Sequence, residues 1–460
     1  MVWNPSRNRP NPAAGPNWNT PMPSFQNVLL PDSGKDLLRE ELSRAFTACG
    51  LRVFRVHPAA LHETGSPQSL AALREHGPAL FFSVNFQGLE NLKTTVGFLE
   101  DAGCAIAVWC VDNPWNLLSA VKTPLWKRLP FFVTDRAFIP GLRLHGAERV
   151  FHMPLAACPE LFCPNKQRDA AFPPPPDLAP LVFVGRTGFP GKNSFFANID
   201  LPHPLLERAK GMARGEFSDD EEGRRPDFLW WLSRLYPENP ASEREATAPA
   251  PAGNREDFSP LLWPGKKGRA PACGAEECTL ACRSAVLAAA TRAFDPSPPA
   301  PLSTIAGHSP AILDIFGDSG WQELARSSGA VRAFPPVDYY ARLPGLYRAA
   351  RYSLTVTSMQ LPSGLNQRHF DVWAAGGCCL SDNTPGLSLF PEELTRPVTY
   401  ARPADIPGLV AALEKNHART GLVRGWQQVI TEQHTYVHRI EGVLRAISAS
   451  VRGACRAAGT

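Results

Sequence analysis

Four stretches of this 460-residue chain hold residue types that could do chemistry. The first is LVFVGRTGFPGKNS, residues 181–194. An apolar run enters a loop with Gly185, Gly188 and Gly191, and with the cations Arg186 and Lys192. Glycines let the backbone approach a ligand closely, and the cations pair with oxyanions, so the loop suits a phosphate cradle. It is not the P-loop of nucleoside triphosphatases. That motif needs glycine where Arg186 stands and a hydroxyl residue where Asn193 stands. The alternative is a strand-to-linker turn with solvated charges.

The second stretch is SMQLPSGLNQRHFD, residues 358–371. Pro362 and Gly364 shape a turn, Ser363 is a candidate helix cap, and the amides near Leu365, Asn366 and Gln367 would face an anion. Arg368 could add a bidentate phosphate contact. Asp371 lies one turn further on the same helix face and could accept hydrogen bonds from ribose hydroxyls. The alternative is a capped helix with an internal Arg368–Asp371 pair. The third stretch, WCVDNPW (109–115), puts Asp112 just past an apolar strand, as a general base or a hydroxyl ligand, or as a simple turn starter. Thr134-Asp135 ends the next strand and could line the same cleft. The fourth, EQHTYVHR (432–439), offers His434 and His438 four residues apart. Two histidines make no zinc site, and Cys273, Cys278 and Cys282 lack paired spacing and a fourth ligand, so no metal is expected. Neither a GxSxG elbow nor a GxGxxG after the first strand is present, which disfavours serine hydrolases and ordinary dehydrogenases.

These loops need strands to end beneath them. Short apolar runs recur at Val28–Leu30, Leu51–Val56, Ala79–Phe86, Ala105–Val111, Phe131–Thr134 and Arg149–Met153. A second series follows at Leu181–Val184, Ile312–Phe316, Tyr352–Val356, Cys378–Ser381 and Val398–Tyr400. Helices fit between them: one through Cys49 with Ser33 or Asp36 as cap, then Tyr339–Ala350, Asn366–Ala375 and Ile406–Lys415. A last helix fits Val423–Ala446, broken near Thr435. Strands apolar throughout and alternating with helices make parallel sheets covered on both faces. The chain therefore divides into a tail (1–25), a first α/β domain (26–178), a second (179–445) and a closing tail (446–460). Residues 195–302 fall outside the alternation and form an insertion, in part helical around Phe228–Leu235 and Cys278–Phe294. In such sheets ligands bind beyond the carboxyl ends of the strands, so the site belongs in the cleft between the two domains.

Composition limits the function. Lys plus Arg number 47 and Asp plus Glu 43, a net charge of +4, with no long basic run; a dedicated nucleic-acid binder is disfavoured. Eleven cysteines, several in apolar runs, suit reduced thiols of a cytoplasmic protein. The asparagine- and proline-rich start has no signal-peptide core, and no apolar run is long enough to span a bilayer, which leaves at most peripheral membrane contact.

The ordered segments YYARLPGLYRAARYSLTVTSMQLPSGLNQRHFDVWAAGG, LSDNTPGLSLF and EQHTYVHR resemble the group 1 glycosyltransferase domain of spore-maturation (CgeB-like) proteins. VDNPW, FVTD and HMPLAA resemble its usual amino-terminal partner, and ILDIFGDSGW a strand and turn of the nucleotide-binding half. The resemblance implies a GT-B fold, two facing Rossmann-like doubly wound domains with a central cleft. It implies metal-independent transfer of a sugar from a nucleoside-diphosphate sugar to a hydroxyl acceptor, with no cofactor. It makes Arg186 and Lys192 the phosphate cations. It puts Asp371 at the ribose. Read with the loops above, Gly317, Ser363, Gly364, Asn366, Gln367 and Arg368 would hold the donor, and Asp112 from the opposite domain would orient or deprotonate the acceptor. One departure stands out: the first of the family's paired glutamates would fall at Ser363, a hydroxyl. The rival reading is a non-catalytic nucleotide-sugar binder or surface-assembly protein on the same scaffold. A sugar-nucleotide epimerase on a similar fold is a third option.

Overall fold

A computed structural model describes residues 25–34, 38–58, 79–118, 123–187, 283–284, 286–288, 290–291, 311–357, 361, 363–415 and 418–457. Twelve strands build two sheets of six. The first contains β1 (Asn27–Pro31), β2 (Arg52–Val56), β3 (Ala79–Val84), β4 (Ala105–Cys110), β5 (Phe131–Val133) and β6 (Val150–His152), in the order β2-β1-β3-β4-β5-β6. The second contains β7 (Leu181–Val184), β8 (Leu313–Phe316), β9 (Val331–Phe334), β10 (Tyr352–Thr355), β11 (Cys379–Asp382) and β12 (Thr399–Tyr400), in the order β12-β11-β10-β7-β8-β9. Every pairing is parallel. This is the doubly wound α/β architecture expected from the apolar runs. The second sheet has the dinucleotide-fold order, which reverses direction between β7 and β10.

The strand runs were legible because both faces are covered. β7, β8, β10 and β11 are buried almost throughout. In the first sheet, residues of alternating parity feed two cores. Leu29, Phe81, Ile106, Val108, Phe131 and Val133 pack on one face. Val28, Leu30, Leu80, Phe82, Trp109 and Phe132 belong to a core that continues without interruption into the second lobe. Trp109 illustrates the continuity: its indole N–H donates to the Met153 carbonyl at 3.0 Å, and its ring meets Tyr436 edge-on at 6.2 Å.

Several elements differ from the sequence reading. β9 was not anticipated, and β3 ends at Val84 because Asn85 and Phe86 both take positive φ. The first helix starts late, at Arg39 after a left-handed Leu38, and no side chain caps it. Ser33 is therefore no cap, and Asp36 lies outside the described residues. The expected helix Tyr339–Ala350 begins only at Leu343, because the Asp338 carboxylate accepts from the amides of Tyr340 (3.1 Å) and Ala341 (2.6 Å) and holds them in a turn. The carboxyl-terminal helix breaks where expected, into Ala418–Gln433 and Tyr436–Ala457. Residues from 446, expected as a tail, are thus helical through Ala457. Of the insertion, the residues described at 283–291 are helical, with Val286, Leu287 and Ala290 in the core. Phe228–Leu235, residues 1–24 and the three spaced cysteines lie outside the described residues. Cys49, Cys104, Cys110, Cys158, Cys163, Cys378 and Cys379 are free thiols, five of them buried.

The two lobes are stitched at the break in that last helix. Ala157 donates to His434 at 2.9 Å and accepts from Tyr436 at 3.0 Å, an isolated bridge opposite Thr435. Arg439 reaches across to the carbonyls of Pro154 (2.9 Å) and Leu155 (3.1 Å). Burial lowers its guanidinium to about 10. The helix then packs on Arg39–Ala48 of the first lobe. His434, pushed down to about 3 by burial, faces the Arg439 guanidinium at 3.1 Å through Nδ1. His438 Nδ1 pairs with Thr435 Oγ1 at 2.7 Å. Both histidines serve this crossing.

Candidate functional site

The direction reversal between β7 and β10 opens a crevice at their carboxyl ends, and the two loops with candidate residues leave from there. They touch. The Arg368 guanidinium lies over the Phe183 ring, 5.9 Å from its centroid. Its Nη2 comes within 3.0 Å of where a Cβ on Gly185 would stand, and the Phe183 ring within 2.9 Å, so a side chain there would crowd both. Arg186 follows directly and is exposed. Its carbonyl accepts from the Arg283 guanidinium. Gly188, Gly191 and Lys192 lie outside the described residues.

Gly317 ends β8 and serves the same loop by packing. A Cβ there would stand 2.0 Å from the Gly185 carbonyl oxygen and 2.8 Å from the Trp321 ring. The missing side chain lets the Trp321 indole N–H donate to that carbonyl at 2.8 Å. Asp318 ties the loop from the other side, accepting from Thr187 N (2.9 Å) and Thr187 Oγ1 (2.7 Å). Sequence reasoning passed over Asp318 and Trp321 as residues that hold the phosphate-type loop. The glycine spacing of FGDSGW was the available signal.

The 363–371 segment departs from expectation. Ser363 caps no helix. Asn366 does that work: its Oδ1 accepts from Arg368 N at 3.1 Å, and its Nδ2 donates to the Val356 carbonyl at 3.3 Å. Ser363 and Gly364 instead turn their amides toward the first lobe. Both donate to Asp135 Oδ2, at 2.6 and 2.7 Å, and Ser363 Oγ donates to Asp135 Oδ1. Asp135 lies two residues past β5 and is 0% exposed. Beside it, Arg136 donates to Ser388 Oγ at 2.8 Å.

Gln367 and Asp371 have partners within the protein. Gln367 donates to the Ala156 carbonyl (2.8 Å) and to Asp371 Oδ1 (2.7 Å), and accepts from Tyr436 OH (2.7 Å). Asp371 is 1% exposed, and its other oxygen accepts from Tyr339 OH at 2.7 Å. The Gln367 side chain thus reaches the first lobe, whereas the Asp371 carboxylate is held by Tyr339 and Gln367 of its own lobe. Glu41 of the first lobe belongs to the same buried cluster, accepting from Tyr340 OH at 2.9 Å. Burial raises both carboxyls above the usual range, Asp371 most strongly. His369, pushed down to about 4 by burial, is neutral and pairs with Ser381 Oγ at 2.8 Å.

Asp112 sits as expected at the end of its strand. The Asn85 amide donates to its Oδ2 at 2.7 Å, and Asn85 Oδ1 accepts from Val111 N at 3.0 Å. Cys110 of β4 stands opposite Val133 of β5, so Asp112 and Asp135 each lie two residues beyond that pair, on neighbouring strand ends. Asp135 thus meets the second lobe, and Asp112 ends the neighbouring strand of the first.

Residues 302–445 match the family model described as glycosyl transferase-like. The match covers the second lobe from β8 onward, including Arg368, the Ser363–Gly364 turn and the buried Asp371 cluster, about a third of the chain. No curated protein matches the sequence. Among solved structures, a sucrose-phosphate synthase from Thermosynechococcus elongatus aligns over 94% of this chain and 100% of its own, at 11% identity and TM-score 0.46. HepE of Anabaena, solved with UDP and glucose, aligns over 92% and 100%, at 8% identity and TM-score 0.47. An α,α-trehalose 6-phosphate synthase from Burkholderia multivorans aligns over 94% and 100%, at 9% identity and TM-score 0.46. Among the described residues no helix is long and apolar enough to cross a membrane.

Proposed function

We propose that the protein transfers a sugar from a nucleoside-diphosphate sugar to a hydroxyl acceptor. The observation that carries this reading is the meeting of Arg368 with Gly185 at the reversal of the second sheet. A cation and a glycine-relieved backbone converge there, where such sheets take nucleotides. As the glycosidic bond breaks, negative charge grows on the leaving diphosphate. Arg368 and Arg186 would stabilise it electrostatically, and the amides of Ser363 and Gly364 already hold a carboxylate oxygen. Asp112, oriented by Asn85, would accept the acceptor's proton. Gly317, Asn366, Asp318 and Trp321 act by holding the loops in place. Lys192 remains a proposed phosphate cation. The reading includes no metal, so turnover should survive a chelator such as EDTA.

The test is release of nucleoside diphosphate from a panel of nucleotide sugars, with and without simple glycoside acceptors. Turnover that Arg368→Ala reduces by about a hundredfold or more supports the proposal. The rival, a non-catalytic nucleotide-sugar binder, gains from the hydroxyl at Ser363. It predicts thermal stabilisation by a donor with no diphosphate release. If neither binding nor release is seen across the panel, the proposal falls.

A further inference from the structure

The carboxylate in the Ser363–Gly364 turn comes from the protein itself. Asp135 and Ser363 are 228 residues apart and belong to different lobes, yet their contact is dense. Asp135 Oδ2 accepts from Ser363 N and Gly364 N, and Oδ1 accepts from Ser363 Oγ and from Ala137 N at 2.9 Å. Backbone amides that converge on one oxygen form an oxyanion pocket, and a carboxylate fills such a pocket as a phosphate oxygen would. The fit is close. A Cβ on Gly364 would stand 3.1 Å from Asp135 Cβ and 3.2 Å from Oδ2, so any larger residue would press the Asp135 side chain back. Arg136 adds a second grip on the same side, on Ser388.

We infer that Asp135 is an internal occupant of this oxyanion pocket, holding the lobes together across the crevice until an anionic ligand displaces it. The inference rests on the proposed reading that the crevice takes a diphosphate, and it names what that ligand must first expel. Closure and anion binding are then competitive, because one set of donors cannot serve both oxygens. Opening at Asp135 becomes part of the apparent affinity, which falls by the fraction of molecules in the open state. Hydrogen bonds within the turn alone would need no such partner. The Ala137 contact is the purely structural part of the role, and asparagine at 135 would preserve it.

The experiment uses the full chain and inorganic pyrophosphate as the probe. Asp135→Asn keeps the turn to Ala137 but removes the charge that competes for the amides. Expected are exchange of the Ser363 and Gly364 amides about tenfold faster than in wild type, and pyrophosphate binding about tenfold tighter by calorimetry. Pyrophosphate should then restore the lost protection. A role limited to folding would not raise affinity. Unchanged exchange overturns the inference, as does pyrophosphate affinity that is equal, lower or absent in both proteins. Asp135→Ser, which also retains an acceptor for the turn, gives the same two readings should the asparagine variant fail to fold. A chain that binds pyrophosphate in this way but releases no nucleoside diphosphate from any sugar donor would overturn the proposed function and leave this inference standing.

Discussion

Arg368 packs beside Gly185 at the reversal point of the second sheet, its Nη2 3.0 Å from where a Cβ would stand. Gly185→Ala tests how much that contact matters. The new methyl would lie 2.9 Å from the Phe183 ring and 3.0 Å from Arg368 Nη2, so the ring and the guanidinium stacked on it must both shift. Overpacking of this kind costs about 1–3 kcal/mol. The expected result is a modest loss in urea stability and a larger loss, about tenfold or more, in nucleotide-sugar binding. Full binding with reduced stability would detach Arg368 from the donor.

Asp371 sets a pH dependence of stability whose sign follows from burial. Its carboxyl is held above the ordinary value, so the folded state keeps a proton that the unfolded chain releases above about pH 4. The contribution is complete below that point and is lost as pH rises toward the folded value. The loss per bound proton is about 1.4 kcal/mol for each pH unit. Glu41, raised by the same cause, adds in the same direction. Asp371→Asn, which mimics the protonated form, should flatten the slope of unfolding free energy between pH 5 and 8, read by denaturant titration at each pH. A slope equal to wild type would mean that the buried cluster does not hold this proton.

Asp314 and Arg332 form a cross-strand pair with its acid fully buried. Arg332 donates to Asp314 at 2.7 and 2.8 Å, and Asp314 also accepts from Ala179 N at 2.9 Å, just before β7. Removing one partner strands a buried charge, so Arg332→Ala should cost about 3–5 kcal/mol. The double variant Asp314→Leu/Arg332→Met should recover most of that loss, because a hydrophobic pair of similar size avoids the desolvation penalty. Chemical denaturation of the three proteins decides it.

Much of the fold was written locally. Strands covered on both faces must be apolar at every position, and that run is visible in any window of five residues. Strand ends place the loops that follow, so Asp112, Arg186 and Arg368 could be located just past strands from sequence. β9 escaped notice because Arg332 interrupts its apolar run, and the carboxylate that makes that arginine tolerable sits 18 residues earlier on β8. The same limit applies to the site. Asp371 and Gln367 read as ligand contacts because a helix turn alone leaves their polar ends unspent. Tertiary docking supplies Tyr339, Tyr436 and the Ala156 carbonyl, from 32, 69 and 211 residues away. Ser363 read as a cap for the same reason, until Asp135 arrived from the other lobe. Periodicity and residue type determined which segments would be strands, helices and exposed turns. The partner of each polar group depended on how two separately legible sheets pack together, because a buried hydrogen bond is decided by whatever the fold brings within 3 Å.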